Sequence, residues 1–211
     1  MSTQKLVEGM IGLEIHAYLM TNEKLFCDCT ASREKGLPAN VYVCPICTGQ
    51  PGAKPLAPNE EAVRKAVLLA SLLGCTVHER SLWQRKHYSW PDLPKGYQTT
   101  LSGSASEPFA VAGTYLGIGI QQVHLEEDPA SWEPTTGRVD YNRSGLPLVE
   151  IVTDPDFKSA EEVQEWLTQL LHHVSYAKLV ASNAGIKVDV NVSVKGGKRV
   201  EVKNISSLES I

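Results

Sequence analysis

The sequence predicts an α+β fold, a sheet flanked by helices with a four-cysteine zinc-bound loop. Three observations carry that prediction. Residues 10–17, and the paired stretches 188–194 and 200–203, alternate apolar with polar side chains, the period of strands buried on one face. Two other stretches repeat apolar residues at helical spacing behind a capping residue. Four of the five cysteines fall in two close pairs. At 211 residues the chain can form one large domain, or a large and a small one, with a real core.

In the first strand Leu13 and Ile15 take one face, Glu14 and His16 the other. A carboxylate beside an imidazole is either plain surface or half of a metal site. Cys27-Asp28-Cys29 and Cys44-Pro45-Ile46-Cys47 follow, separated by a polar stretch containing Gly36, Pro38 and Asn40. Cys-x-Cys is too tight for an easy disulfide, whereas two close pairs across a loop suit tetrahedral zinc on Cys27, Cys29, Cys44 and Cys47. Four thiolates leave no open position, so the site in this 26–48 loop reads as structural, and zinc there supplies of order 10 kcal/mol to folding. After a turn-rich connector at 51–58, Asn59 caps a helix with Glu60 and Glu61 in its first turn. Its apolar stripe is Val63, Ala66, Val67, Ala70 and Leu73, and Gly74 stops it. Cys75 stands apart and reads as a buried small residue.

Residues 80–98 mix cations with aromatics, among them Arg85, Lys86, His87, Tyr88, Trp90, Lys95 and Tyr97. Pro91 and Pro94 bracket Asp92-Leu93 and mark an ordered loop. Such a loop suits a nucleotide or RNA phosphate, or simply packs over a sheet. Residues 99–107 are Ser/Gly-rich, a hairpin tip or mobile loop. Further on, Glu150 interrupts an apolar, β-branched run, an odd place for an unpaired carboxylate. Ser159 and Glu162 form a capping box, and Val163, Trp166, Leu167, Leu170, Leu171 and Val174 recur at helical spacing behind it. His172 and His173 then suit the helix's C-terminal dipole. Last, Val188, Val190, Val192 and Val194 turn at Gly196-Gly197 into Val200 and Val202. That hairpin assigns valines to the core and Asp189, Asn191, Glu201 and Lys203 to the opposite face.

The densest chemistry is Gln122-Val123-His124-Leu125-Glu126-Glu127-Asp128, where an imidazole and three carboxylates crowd together. Adjacent carboxylates repel unless a cation shares their site. Alone, the stretch reads equally well as an acidic strand end in water. Several strands presenting such rows opposite an apolar core favour a divalent cation. A net charge of −4 excludes a surface that grips nucleic acid throughout. The N-terminal residues carry neither an apolar signal core nor an Arg-rich presequence, and no apolar run is long enough for a bilayer, so a cytoplasmic location without membrane contact is expected. There is no P-loop, no complete dinucleotide fingerprint and no Gly-x-Ser-x-Gly nucleophile. A carboxylate–histidine cluster with lysines and arginines can still hold a magnesium-bound triphosphate, which points to phosphoryl transfer by positioning and charge.

Ile11-Gly12-Leu13-Glu14-Ile15-His16, Pro91-Asp92-Leu93-Pro94-Lys95-Gly96-Tyr97-Gln98, His124-Leu125-Glu126-Glu127-Asp128 and Asp140-Tyr141-Asn142-Arg143 occur in this order. Pro147-Leu148-Val149-Glu150-Ile151-Val152, Asp189-Val190-Asn191-Val192-Ser193 and Val202-Lys203-Asn204 follow. Together they closely resemble the B subunit of the aspartyl/glutamyl-tRNA amidotransferase, over almost the whole chain. The resemblance implies a cradle on an antiparallel sheet, residues 1–211, with the active site in its hollow. It implies an ATP- and Mg2+-dependent ligase in a heterotrimer with a glutaminase, the A subunit, and a small C subunit. The side-chain carboxylate of a misacylated Glu-tRNA(Gln) or Asp-tRNA(Asn) is phosphorylated, and ammonia displaces the phosphate.

By motif, Glu14, His16 and Glu127 hold magnesium, with Glu126 and Glu150 near it. Lys95 and Tyr97 face the nucleotide or acyl end, Asp189, Asn191 and Lys203 line the hollow, and Asn142 and Arg143 contact substrate. The paired cysteines match the zinc site that some B subunits keep.

Departures alter polar groups that could touch substrate. Pro129-Ala130-Ser131 stands where the family has Ala/Pro-Gly-Lys, and Asn142-Arg143-Ser144-Gly145 where it has Asn-Arg-Gln-Gly. Asn183-Ala184-Gly185-Ile186-Lys187 replaces Glu-Gly-Ser-x-Arg. Family members are longer, so the expectation is a cradle truncated at its C-terminus and lacking the helical and tail domains that grip tRNA. The alternatives are a non-catalytic zinc-stapled module docking a glutaminase, or a stand-alone ATP-dependent amide ligase on another carboxylate. Alternation divides His124 and Glu126 from Glu127, so a bulge or strand end is expected there.

Overall fold

The alternating first stretch forms β1 (Gly9–Tyr18), an interior strand of the main sheet. In the computed structural model, which describes residues 9–34, 36–181 and 186–205, the next elements are α1 (Glu60–Leu72), β2 (Thr76–Val77), β3 (Gln84–His87) and β4 (Tyr97–Thr100). Then come β5 (Ala110–Tyr115), β6 (Ile118–Glu127), β7 (Ser131–Glu133), β8 (Arg138–Asp140) and β9 (Pro147–Thr153). The last three are α2 (Ala160–Tyr176), β10 (Ile186–Val194) and β11 (Val200–Ile205). The main sheet runs β11-β10-β1-β9-β6-β4-β3, while β5 also pairs with β6 and carries β2; β7 and β8 form a separate hairpin. The pairings between named strands among the described residues are antiparallel, so the fold is α+β as the sequence predicts.

Period-two alternation makes the sheet two-faced. Leu13 and Ile15 of β1, Val123 and Leu125 of β6, Val149 and Ile151 of β9, and Val188 and Val190 of β10 share one core with the buried faces of α1 and α2. Burying side chains of this size stabilises the fold by about 1.5–3 kcal/mol each before entropy is charged. Both helices start where their caps predict. Asn59 Oδ1 accepts from Ala62 N at 3.0 Å, and Ser159 Oγ accepts from Glu162 N at 3.2 Å. Trp166 anchors α2 by donating its indole N–H to Tyr115 O at 2.9 Å. No helix among the described residues is long and apolar enough to cross a membrane.

Several expectations need correction. The buried stripe of α1 is Ala62, Lys65, Ala66, Leu69 and Ala70, rotated from the one expected, and Val63 is exposed. Lys65 is buried because its ammonium reaches Met20 O and pairs with Glu61 at 3.2 Å. The 80–98 segment is not all loop: β3 pairs with β4, hidden from pattern reading because Arg85, Lys86 and His87 are exposed. The valine alternation of the last hairpin is real, but the core ends at Val188 and Val190. Val192, Val194, Val200 and Val202 are exposed, since β11 is an edge strand. Cys75 is half-buried against the core rather than fully enclosed. The strand end expected at Glu127 is present, since Glu127 is the last residue of β6, and the register shift in that strand lies elsewhere, between Ile120 and Gln122. The departures at Asn183, Ala184 and Gly185 lie outside the described residues.

Candidate active site

On the face turned away from the core, strand register decides which polar groups meet. His16 of β1 lies opposite Glu150 of β9, and Glu150 lies opposite His124 of β6. Glu14 lies opposite Asp189 of β10. Two groups of possible cation ligands result, His16/Glu126/Glu150 and Glu14/Asp189/Glu201, each with ligand atoms within 4.8 Å of one another. His16 Nε2 is 3.9 Å from Glu126 Oε1. Glu126 and Glu150 are only 4% and 7% exposed, so water cannot screen their mutual repulsion. Burial, then the charge of Glu150, pushes Glu126 up to about 8, against the pull of Thr100 Oγ1, which donates to Glu126 Oε2 at 3.0 Å. Among the described residues no lysine or arginine forms an ion pair with Glu126 or Glu150. Two buried carboxylates and an imidazole, with no lysine or arginine in ion-pair contact with the carboxylates among the described residues, fit a hard divalent cation.

These groups floor a hollow of about 350 Å³ whose walls add Lys86, Arg143, Lys187 and Lys203. Lys203 Nζ lies 3.0 Å from Glu201 and 3.6 Å from Asp189, giving the second acidic group its own cation. Asn191 Nδ2 donates to Glu14 Oε1 at 3.1 Å, and its Oδ1 is buried without a protein partner. Arg143 grips Asp128 with two hydrogen bonds of 2.7 Å and donates to Tyr18 Oη at 2.9 Å; Tyr18 in turn donates to Asp128 Oδ2 at 2.7 Å. Burial opposes the charge on Arg143, but Asp128 more than offsets it and raises the pKa. Burial, then Asp128, pushes the Tyr18 phenol up to about 12. A second hollow of about 560 Å³ opens beside Tyr18 and Arg33 and holds no such carboxylate–histidine set.

The structure therefore brings Glu14, His16, Glu126, Glu150, Asp189, Asn191, Lys203 and Arg143 together around the hollow. It does not bring Glu127 there. Alternation carries Glu127 to the other side of β6, where Lys95 pairs with it and Thr99 N donates to Oε1 at 2.9 Å. Lys95 and Tyr97 follow it, lining a small adjoining cleft instead. Of the expected set Glu14, His16 and Glu127, the structure does not bring Glu127 to His16; the carboxylates near His16 that could share a cation with it are Glu126 and Glu150. His124 is no free ligand either, since its ring nitrogens engage Leu101 O at 2.8 Å and Gln122 Oε1 at 2.9 Å, and burial lowers its pKa. Asn142 faces the cysteine loop rather than the hollow.

Sequence reading missed Tyr18 and Thr100, and named Asp92 and Lys187 only within their motifs, without placing them at the hollow. Tyr18 was available in principle, being the next outward position after Glu14 and His16 on β1; the others depend on strand pairing or on loop course.

Cys27, Cys29, Cys44 and Cys47 do converge. Cys47 Sγ lies 3.8 Å from Cys44 Sγ and 4.0 Å from Cys29 Sγ. Tetrahedral zinc with bonds of about 2.3 Å needs sulfurs roughly 3.8 Å apart, so the donor set fits it. The hydrogen bond from Cys27 chiefly lowers the Cys47 thiol, while that same bond pushes Cys27 up and burial pushes Cys29 up.

Comparison with known proteins places the chain in a family. Residues 9–211 match the family described as the GatB/GatE catalytic domain. The aspartyl/glutamyl-tRNA(Asn/Gln) amidotransferase B subunit from Methanopyrus kandleri is 53% identical over 208 residues, 98% of this chain and 44% of the relative. The Methanocaldococcus jannaschii protein of that name is 49% identical over 211 residues, 97% of this chain and 43% of the relative. The one from Methanosphaera stadtmanae is 45% identical over 200 residues, 94% and 43%. The chain thus spans less than half the length of the curated relatives it matches. With the family match covering nearly all of its residues, this chain belongs to the GatB/GatE catalytic domain family.

Proposed function

We propose that this chain is the carboxylate-activating part of the B subunit of a tRNA-dependent amidotransferase, working with a glutaminase, the A subunit, and with a small C subunit. ATP would phosphorylate the side-chain carboxylate of Glu-tRNA(Gln) or Asp-tRNA(Asn). Ammonia released by the glutaminase would then attack that carbonyl carbon and expel phosphate, leaving the amide. The observation that carries this reading is the His16/Glu126/Glu150 group, its two carboxylates buried, on the floor of a hollow with cationic walls.

The chemistry requires these parts. A carboxylate resists ammonia until its oxygen becomes a leaving group, and gathering a triphosphate beside a carboxylate collects negative charge that cations must offset. His16, Glu126 and Glu150 would hold Mg2+, with Glu14 and Asp189 bordering it; when bound, the ion would screen phosphate oxygens and orient the transfer. Lys86, Lys187 and Lys203 would attract the phosphates, and the Asp128-held guanidinium of Arg143 would present fixed positive charge without rearranging. The cysteine cluster would hold structural Zn2+ away from the reaction.

Trapping the activated carboxylate tests the proposal. The complete complex, given Glu-tRNA(Gln) or Asp-tRNA(Asn), Mg-ATP and hydroxylamine in place of glutamine, is expected to form the hydroxamate, and Glu126→Gln is expected to slow this at least 100-fold. The hydroxamate that counts is the one on the side-chain carboxyl, since the ester itself yields the α-hydroxamate without ATP; ATP-independent side-chain hydroxamate, or equal rates in both proteins, would overturn it.

A further inference from the structure

The cysteine loop is fastened to the segment leading into β9 by side chains that have no other work. Asn142 is 8% exposed and its carboxamide is largely consumed: Oδ1 accepts from Val41 N at 2.8 Å and Tyr42 N at 2.9 Å, while Nδ2 donates to Pro38 O at 2.8 Å. Asn40 answers from the other side. Its Oδ1 accepts from Tyr141 N at 2.8 Å, and its backbone N–H donates to Asp140 Oδ1 at 3.0 Å. Lys24, 1% exposed, threads between the two segments and donates to Tyr42 O at 2.8 Å and Tyr141 O at 3.2 Å, with Cys47 Sγ at 3.5 Å. Ser144 Oγ donates to Cys47 O at 2.7 Å. Between Asn142 and Ser144 sits Arg143, gripping Asp128 and Tyr18 at the wall of the hollow.

We propose that Asn142 and Lys24 are positioning residues through which the metal-bound cysteine loop sets Arg143, and with it Asp128 and Tyr18, in the wall of the candidate active site. The proposal rests on zinc binding by the four cysteines and on the reading of the hollow given above. Four thiolates on a divalent ion leave a net negative charge, and a buried ammonium beside Cys47 offsets it, as hydrogen-bonding groups around a metal's ligands commonly do. The 38–47 stretch contributes little to the apolar core, so the metal is what holds it still. If that stretch loosens, Asn142 loses all three partners at once. The backbone on either side of Arg143 is then free to move, and a two-point grip on Asp128 needs that backbone fixed.

The test uses the reduced chain with zinc bound and after stripping with a chelator. It reads hydrogen–deuterium exchange and the phenylglyoxal modification of Arg143. Stripping is expected to speed exchange at least tenfold in both 38–47 and 139–146 and to speed Arg143 modification several-fold, with β1 and β9 unchanged. In Asn142→Ala, Arg143 is expected to react fast even with zinc bound, and stripping should change 139–146 by less than half the wild-type effect. Lys24→Met gives the same reading should Asn142→Ala not fold. Loosening of 38–47 alone overturns the proposal, as does loss of protection across the whole sheet or a stripping effect that adds undiminished to that of Asn142→Ala. If the chain takes up no zinc, the metal reading falls and this proposal with it, whereas the amidotransferase reading is decided separately by hydroxamate formation.

Discussion

A carboxyl group denied water and placed beside a second carboxylate holds its proton more tightly, and Glu126 is in that position. Its value in the folded chain is about 8, against 4.5 for an unperturbed side chain. Between those values the native state holds a proton that the unfolded state has released. Stability is therefore greatest below the unfolded value and is lost as pH rises through about 8. Urea denaturation of the magnesium-free protein at pH 5 and pH 8 is expected to show this decline, and Glu126→Gln is expected to flatten it; an equally steep decline in the variant would remove Glu126 as its cause. Arg143 supports the opposite kind of statement. Asp128 is 3% exposed, and Arg143→Ala would leave its charge buried with Tyr18 as its remaining side-chain partner. The expected cost is about 3 kcal/mol in urea denaturation, partly recovered in the double variant with Asp128→Asn.

At the scale of elements, the loop-to-loop contacts are as demanding as the strands. Gly49 has φ +66°, and a Cβ there would come within 2.3 Å of Pro94 O, where the cysteine loop abuts the segment that carries Lys95. Gly49→Ala is expected to cost at least about 2 kcal/mol in denaturant, from left-handed strain plus a backbone clash. A loss below 0.5 kcal/mol would mean the two loops are not firmly packed. This contact had no sequence signature, whereas β1, both helix caps and the cysteine cluster were legible because each rests on a local pattern. Alternation correctly separated Glu126 from Glu127; the motif resemblance had grouped Glu127 with Glu14 and His16, whereas the fold brings Glu126 and Glu150 to His16. The edge valines show the converse. Period two tells which residues share a face, but not whether a second layer covers it. β3 was missed because its four residues are all polar, three of them exposed, and carry no apolar period.

For the whole molecule, one antiparallel sheet divides the labour. Its inner face supplies the core with α1 and α2, and its outer face gathers acidic side chains from β1, β6, β9 and β10 that are far apart in sequence. The cysteine loop and the 139–146 segment close one wall, which brings Arg143 to bear on Asp128. The central claim is that His16, Glu126 and Glu150 form the cation site and Glu127 does not. Manganese binding followed by electron paramagnetic resonance, on protein already carrying zinc on its cysteines, tests this most directly. Glu126→Gln and Glu150→Gln are expected to weaken Mn2+ binding at least tenfold while Glu127→Gln leaves it within about twofold. Loss of binding in Glu127→Gln with full binding in Glu126→Gln would contradict the assignment.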